Sequence, residues 1–301
     1  MEIVILDLEW NAAFYKDEMR FLNEIIEFGA VKLDENLNCI GSFSALLKPK
    51  ISRRMNRRTA ELTGIAFNDL KQSDITFCEA LKNFTEFLGD AVLLTWGTTD
   101  ITTLIDNYFM YYAERTLPFM TQYCNVQEFA MKQLNLNDPA KQLGVKACVD
   151  ILEIVPDENL HRADSDAYVE ALIFKTLYNK EVFEGFIQNA ADPEFYRKLF
   201  YKPVFINSLD NPLIKRSAMR FYCPHCASRL RMLTHWQYKN RGFVAHLQCK
   251  KCVKFFAGKY TFKKMYDYLN IQTRLSELLP EQPHEENVVI DIESDIDTVS
   301  V

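Results

Sequence analysis

The first residues combine a buried strand with two acids. Residues 2–11 read EIVILDLEWN, in which apolar residues surround Asp7 and Glu9. Residues i and i+2 of a strand lie on the same face, so the two carboxylates are expected side by side at the end of this strand. Adjacent negative charges repel unless one is protonated or a cation lies between them. The pair predicts either two solvated acids or a divalent-metal site that needs further carboxylates.

The order of elements predicts an α/β fold. A first strand at residues 2–9 and a hairpin within residues 23–49 precede helices, a further strand and a strongly periodic helix at residues 162–179. Antiparallel strands followed by strands that alternate with helices are typical of a mixed sheet covered by helices. We therefore expect a domain over residues 1–180, followed by a helical or irregular connection over residues 181–215.

Charge divides the chain into unequal parts. Residues 1–196 carry 18 basic and 31 acidic groups, whereas residues 197–279 carry 17 basic and 3 acidic groups. Residues 280–301 carry seven acids and no Lys or Arg. This asymmetry predicts a polyanion-binding module beside an acidic domain. The last segment is expected to be a flexible acidic tail, solvated or folded back on the basic module.

Composition points to the interior of the cell. The chain has 301 residues, of which 48% are hydrophobic. None of its apolar runs approaches the ~20 residues that are needed to span a bilayer. The N-terminus has no basic leader before an apolar stretch, and the eight cysteines are then expected to stay reduced. We predict a cytoplasmic protein that binds no membrane.

Two more acids and a histidine extend the first pair. Asp100 follows the strand AVLLTWG and begins a helix, while His161 and Asp166 lie at the start of the periodic helix. Each has an ordinary explanation alone: Asp100 as an N-cap, Asp166 as a complement to the helix dipole, and His161 as a surface residue. Their order along one chain with Asp7 and Glu9 favours a shared site.

The order and spacing of these five residues resemble those of the DEDDh exonucleases, the DnaQ-like branch of the ribonuclease-H-like superfamily. The resemblance covers residues 1–180 and includes HRADSDA, which fits H-x-A-x-x-D-A, and the segments EIIEFGAVKLDENLNCIGSFSALLKP and ELTGI. WGTTD is similar to the W-G-x-x-D of the ERI-like exoribonucleases, which trim RNA 3′ ends. Trp10 departs from the pattern, because many relatives carry a smaller residue after the glutamate.

The resemblance implies a metal-dependent 3′–5′ exonuclease that acts on single strands, in particular RNA 3′ ends, and releases nucleoside 5′-monophosphates. Hard oxygen ligands suit Mg²⁺ or Mn²⁺, and two such ions would be held by Asp7, Glu9, Asp100 and Asp166. His161 would take the proton from the attacking water. The implied substrate contacts are Leu8, Trp10, Leu62, Thr63 and Trp96. Single-stranded DNA or short oligonucleotides as substrates, and a binding or adaptor protein with incidental hydrolysis, are the alternatives.

Two C-x-x-C pairs predict a zinc ribbon at residues 216–272. Cys223 and Cys226 are separated by 22 residues from Cys249 and Cys252, and four thiolates complete a tetrahedral structural site for one Zn²⁺. Four free thiols or a redox pair are the alternatives. The remaining thiols are interpreted as ordinary buried cysteines: Cys39, Cys78, Cys124 and Cys148.

Basic and aromatic residues alternate along this ribbon. The basic residues are Arg229, Arg231, Lys239, Arg241, Lys250, Lys251, Lys254, Lys259, Lys263 and Lys264. The aromatic residues are Trp236, Tyr238, Phe243, Phe255, Phe256 and Tyr260. Cations that bind phosphates and rings that stack on bases are typical of single-strand binding. Alternatively, the rings fill the core of the ribbon and the charges are solvated.

Overall fold

The chain forms two compact units, Met1–Phe200 and Tyr201–Val301. The computed structural model describes residues 1–136, 142–155, 163–278, 291–293 and 297–300. Within these ranges, no helix is both long and apolar enough to cross a membrane. The division lies inside the predicted connection at residues 181–215, since Phe183 and Phe195 are buried in the cores of the first unit.

The first unit is a mixed sheet with helices. Its elements are β1 Ile3–Tyr15, β2 Arg20–Leu33, β3 Cys39–Leu46, α1 Arg57–Thr63, α2 Phe67–Gln72, α3 Phe77–Leu88, β4 Val92–Thr95, α4 Thr99–Tyr112, β5 Gln122–Asn125, α5 Val126–Gln133, α6 Val145–Leu152, α7 Ala163–Leu177, α8 Lys180–Phe186, β6 Gln188–Asn189 and α9 Pro193–Leu199. The strand order is β3-β2-β1-β4-β5-β6, with β1–β2 and β2–β3 antiparallel and β1–β4 and β4–β5 parallel. The predicted mixed sheet is confirmed.

The central position of β1 explains its continuous apolar sequence. Leu6 and Leu8 pack in the core that contains α3 and α4 residues, whereas Ile3 and Ile5 pack in the core that contains α5 and α7 residues. A strand covered on both faces needs apolar residues at successive positions. The strand runs to Tyr15, well past the predicted end at residue 9, because β2 continues to pair with it.

The second unit is an antiparallel β domain. Its elements are β7 Val204–Phe205, a 3₁₀ turn Arg216–Ala218, β8 Arg231–Met232, β9 Gln237–Lys239, β10 Gly242–Gln248, β11 Phe255–Lys264, β12 Tyr268–Leu278, β13 Asp291–Glu293 and β14 Asp297–Ser300. The unit extends past both predicted bounds of the ribbon, since β7 pairs with β11 and β12 continues to Leu278.

The predicted flexible tail at residues 280–301 is partly wrong. Within it, β13 and β14 each pair with β12 in an antiparallel arrangement. The short tail strands extend the sheet at β12, which also pairs with β11. The other residues of this tail lie outside the described part of the chain.

Candidate active site

Three carboxylates converge beside the middle of β1. Asp7 and Glu9 lie on one face of this strand, and Asp166 lies in the first turns of α7. One oxygen from each of the three lies within 4.8 Å of the others. Asp7 and Glu9 are half-buried, whereas Asp166 is exposed. The fold therefore brings Asp166 close to Glu9, although the two residues are 157 positions apart in the sequence.

Asp100 lies beside this group and is tied to β1. Its Oδ1 accepts a hydrogen bond from the backbone N–H of Leu8 at 3.1 Å, and its side chain is buried. It is not the N-cap of α4, which is Thr98, so the N-cap interpretation is wrong. A turn at Gly97, with a φ of 76°, precedes the helix and directs its first turn toward β1.

Burial, with repulsion between neighbouring carboxylates at Asp7 and Glu9, raises the pKa values of these acids. Burial is the main cause of raising the pKa of Glu9 to about 7, and repulsion from Asp166 adds to it. Burial also raises the pKa of Asp100 to about 7, although the Leu8 N–H opposes the shift. The pKa of Asp7 lies well above its usual range because of burial and then repulsion from Asp100. Each carboxylate is therefore destabilised in its charged form unless a cation balances it.

The residues present fit a divalent cation. The Oδ2 atom of Asp7 is buried and has no hydrogen-bond partner among the described residues. A buried oxygen without a donor is unfavourable, and a cation bound among Asp7, Glu9 and Asp166 would satisfy it. The predicted fifth member of the site, His161, lies outside the described residues.

Glu170 is a site residue that the sequence analysis missed. It follows Asp166 by four residues in α7 and is 3% exposed, and within the described part of the chain its Oε2 has no hydrogen-bond partner. Burial and then repulsion from Asp7 raise its pKa well above the usual range. A spacing of four residues puts both acids on one face of the helix. This spacing was the sequence signal that could have identified Glu170.

The predicted substrate contacts divide into two groups. Leu62 is 76% exposed at the end of α1, and Thr63 and Trp10 are half-buried. Leu8 is 2% exposed and its side chain packs in the core, so its predicted contact with a substrate stays a prediction that only its backbone could fulfil. The indole N–H of Trp96 donates to the Leu143 carbonyl at 3.0 Å, which gives this ring a structural role.

The four predicted zinc ligands form a second cluster. Their sulfur atoms lie within 4.8 Å of one another, with 4.0 Å between Cys223 and Cys252 and 3.5 Å between Cys226 and Cys249. Tetrahedral zinc–sulfur bonds of about 2.3 Å would separate the sulfurs by about 3.8 Å. These distances fit one Zn²⁺ and are far longer than a disulfide bond.

The two C-x-x-C turns have the same backbone geometry. The N–H of Ala227 donates to the Cys223 carbonyl, and the N–H of Val253 donates to the Cys249 carbonyl. Ala227 and Val253 also share the left-handed conformation, with φ values of 55° and 58°. Two equivalent turns present four thiols toward one point, as a four-cysteine ribbon requires.

Several ribbon aromatics are core residues. Phe243, Phe256 and Tyr260 are buried in the second unit, so the core-filling alternative is correct for them. Trp236 packs partly buried against the same core. The remaining two predicted rings, on Tyr238 and Phe255, are 40% and 44% exposed.

Fold and site together define the class. A mixed sheet with covering helices, acids that converge at its first strand and a four-cysteine cluster are the features of a ribonuclease-H-like nuclease with a ribbon module. The model of the exonuclease family RNase_T matches residues 4–174, and the chain belongs to this family. The predicted DEDDh-type 3′–5′ exonuclease is thereby confirmed.

Solved structures also resemble this chain. A 3′-exonuclease that recognises the 3′ end of a histone mRNA stem-loop is 22% identical, with a TM-score of 0.48, over 57% of this chain and 79% of that one. Cell-death related nuclease 4 is 20% identical, with a TM-score of 0.46, over 58% and 62%. Product-bound exonuclease I is 12% identical, with a TM-score of 0.47, over 81% and 57%. No curated protein matched the sequence.

Proposed function

We propose that the protein is a divalent-metal-dependent exoribonuclease that hydrolyses phosphodiesters from the 3′ end of single strands. The observation that carries the proposal is the convergence of Asp7, Glu9 and Asp166 around a buried Asp7 oxygen that lacks a donor. Asp7, Glu9 and Asp166 would hold one Mg²⁺ or Mn²⁺, and Asp7 with Asp100 a second. Bound there, the pair of ions would stabilise charge on the attacking and leaving oxygens.

The side chains of the site have separate tasks. The fixed hydrogen bond from Leu8 to Asp100 holds that carboxylate in position before a substrate binds. Trp10 and Leu62 offer apolar surface for the terminal nucleotide, since the first is half-buried and the second is exposed. His161 is assigned, from the family pattern, the task of taking a proton from the attacking water on a ring nitrogen.

The second unit is assigned a binding task. One structural Zn²⁺ at its four cysteines would fix the two turns. Exposed cations would then contact phosphates and the exposed rings of Tyr238 and Phe255 would contact bases. The W-G-x-x-D segment favours RNA over DNA as the substrate of the whole protein.

A labelled time course tests the proposal. The protein is incubated with 3′- or 5′-labelled RNA and DNA of equal sequence, with Mg²⁺, Mn²⁺ or EDTA. We expect mononucleotides from the 3′ end of RNA, and none with EDTA. Preference for DNA would support the single-stranded DNA alternative, and binding without hydrolysis under any metal would support the adaptor alternative.

An Asp7→Asn variant separates metal binding from folding. The neutral side chain removes a ligand charge, so hydrolysis should be abolished while the fold stays intact and metal-free stability does not fall. Asp90→Asn is the matched control, because Asp90 precedes β4 at the opposite end of the parallel β1–β4 pair. Near-normal turnover by folded Asp7→Asn protein would contradict the metal assignment.

A further inference from the structure

An acidic domain contains one strongly basic segment. Residues 36–60 carry six Lys or Arg residues and no acid, although residues 1–196 carry 31 acids against 18 basic groups. All six cations lie in residues 48–58, here called the basic segment, which includes RRMNRR. The segment follows β3 and ends in the first two residues of α1, and its basic side chains are exposed to solvent. Such a concentration of one sign attracts a polyanion.

Two buried side chains hold the basic segment. Glu24 is 3% exposed and accepts hydrogen bonds from the backbone N–H groups of Lys50, Ile51 and Ser52 at 2.6, 2.7 and 2.6 Å. Three charge-assisted bonds to one carboxylate fix the path of the backbone. The basic segment is thus a rigid loop at its start.

Asn11 holds the middle of the basic segment. It is 1% exposed and donates to the Ser52 hydroxyl at 2.8 Å and to the Arg54 carbonyl at 3.0 Å. It also accepts a hydrogen bond from the backbone N–H of Asn56 at 2.8 Å. Both N–H donors of this amide and one of the two lone pairs on its oxygen are thus used by the segment.

The anchors place the basic segment beside the carboxylates. Asn11 and Glu24 are paired across β1 and β2, and Glu9 is paired with Glu27 just before them. The irregularity between these pairs falls on β2, so the alternation along β1 continues and Asn11 shares a face with Asp7 and Glu9. At about 3.3 Å per residue, the Asn11 anchor lies roughly 7 Å from Glu9 along the strand.

The cations of the basic segment are available to a ligand. Arg53, Arg54 and Arg58 are exposed, and among the described residues no carboxylate lies within 4.0 Å of their guanidinium groups. Arg57 pairs with Glu61 at 2.7 Å, but its side chain is 91% exposed. An exposed pair of this kind contributes little and yields readily to a stronger anion.

We propose that Arg53, Arg54, Arg57 and Arg58 bind backbone phosphates of the substrate strand next to the 3′ end held at Asp7 and Glu9. The inference rests on the proposed nuclease function and adds a substrate-binding surface within the first unit. Guanidinium groups suit phosphate because their fork can donate two parallel hydrogen bonds. Their positive charge also offsets the repulsion between the acidic domain and a polyanion.

Binding measurements without hydrolysis test this surface. The test variant is the full-length protein with four changes: Arg53→Gln, Arg54→Gln, Arg57→Gln and Arg58→Gln. Its affinity for a 5′-fluorescein-labelled 12-nucleotide RNA is measured in EDTA at several salt concentrations. We expect affinity to fall about tenfold or more, and the slope of log affinity against log salt to fall by about 0.7 per lost phosphate contact. The charge-matched control changes four exposed lysines elsewhere on the unit to Gln: Lys82, Lys132, Lys146 and Lys180.

A conservative variant and a short substrate complete the test. Changing the same four residues to Lys should restore most of the salt slope but less of the affinity, because a lysine cannot make the paired contact. The kcat/KM for a dinucleotide should stay within about twofold, since its single phosphate lies at the carboxylates. A comparable loss on the dinucleotide would overturn the inference by showing damage to the site itself.

The two proposals fail in different ways. If a folded Gln variant kept its RNA affinity and its salt slope, the inference would be overturned, and the basic segment would be assigned to another acidic partner. Hydrolysis by the wild type would still support the proposed nuclease function. Loss of RNA binding in the Gln variant, with no hydrolysis by the wild type under any metal, would support the surface and contradict the nuclease.

Discussion

At the residue scale, Glu170 makes the folding stability of the metal-free protein depend on pH. It is almost fully buried near Asp7, and burial raises its pKa well above the usual range. At a pH above the ordinary pKa of a glutamate, the unfolded state has therefore released the Glu170 proton, whereas the folded state still holds it. A folded state that binds more protons loses stability as pH rises. Glu9 and Asp100, with pKa values of about 7, act in the same direction.

We expect Glu170→Gln to stabilise the metal-free protein at neutral pH and not at pH 4. Glutamine has nearly the same shape and does not ionise, so the free energy of unfolding at pH 7 should rise by about 1–3 kcal/mol. Denaturant unfolding in EDTA at both pH values measures the difference. The exposed Glu184→Gln serves as the control and should follow the wild type. Equal gains at pH 4 and pH 7 would contradict the protonation account.

His161→Ala is expected to slow hydrolysis and keep the metal. Loss of a general base lowers the rate by about 10²–10⁴, whereas the carboxylates supply the metal ligands. Single-turnover rates at saturating Mg²⁺, with metal affinity measured from the shift in melting temperature, separate the two effects. If the variant instead lost metal affinity and recovered its full rate at high Mg²⁺, His161 would be a ligand.

At the scale of elements, two short turns organise the second unit. The turns after Cys223 and Cys249 repeat the same backbone hydrogen bond, and each is followed by a residue of positive φ. Small modules built around four cysteines of this kind depend on metal for folding. The stability of this unit is therefore expected to follow zinc rather than Mg²⁺.

Cys226→Ser should remove the zinc and unfold the second unit. We expect metal analysis of the purified protein to find about one zinc per chain in the wild type and far less in the variant. Cys39→Ser is the matched control, since Cys39 is exposed, not buried as the sequence predicted, and is far in sequence from the cluster. Hydrolysis of a dinucleotide should persist in the variant. Full zinc content in Cys226→Ser protein would contradict the four-cysteine site.

At the scale of the whole molecule, charge is distributed between two potential phosphate-binding surfaces. Residues 197–279 carry 17 basic and 3 acidic groups, and the basic segment adds six cations within the first unit. The two proposed surfaces belong to different units, and each would add its own salt dependence to the binding of RNA. The dependence of binding on RNA length and salt is therefore the property that distinguishes their contributions.

Deleting residues 201–301 should raise the KM for long RNA and flatten its salt dependence. The cut follows Phe200, because β7 at Val204–Phe205 pairs with β11 and belongs to the second unit. We expect the basic segment to preserve part of the salt dependence on long RNA, and dinucleotide turnover to change little. Steady-state kinetics on 2- and 20-nucleotide RNA at several salt concentrations provide the comparison. Equal losses on both lengths would show instead that the second unit supports the active site.

The sequence by itself determined the features that depend on short spacing. A separation of two residues put Asp7 and Glu9 on one strand face, and each C-x-x-C pair specified a tight turn, because covalent geometry fixes local periodicity. Burial and contacts between distant segments were decided only by the tertiary structure. Glu170 became a site residue, and Asn11 anchored a segment more than 40 residues away, because packing brings together groups whose separation along the chain carries no local signal.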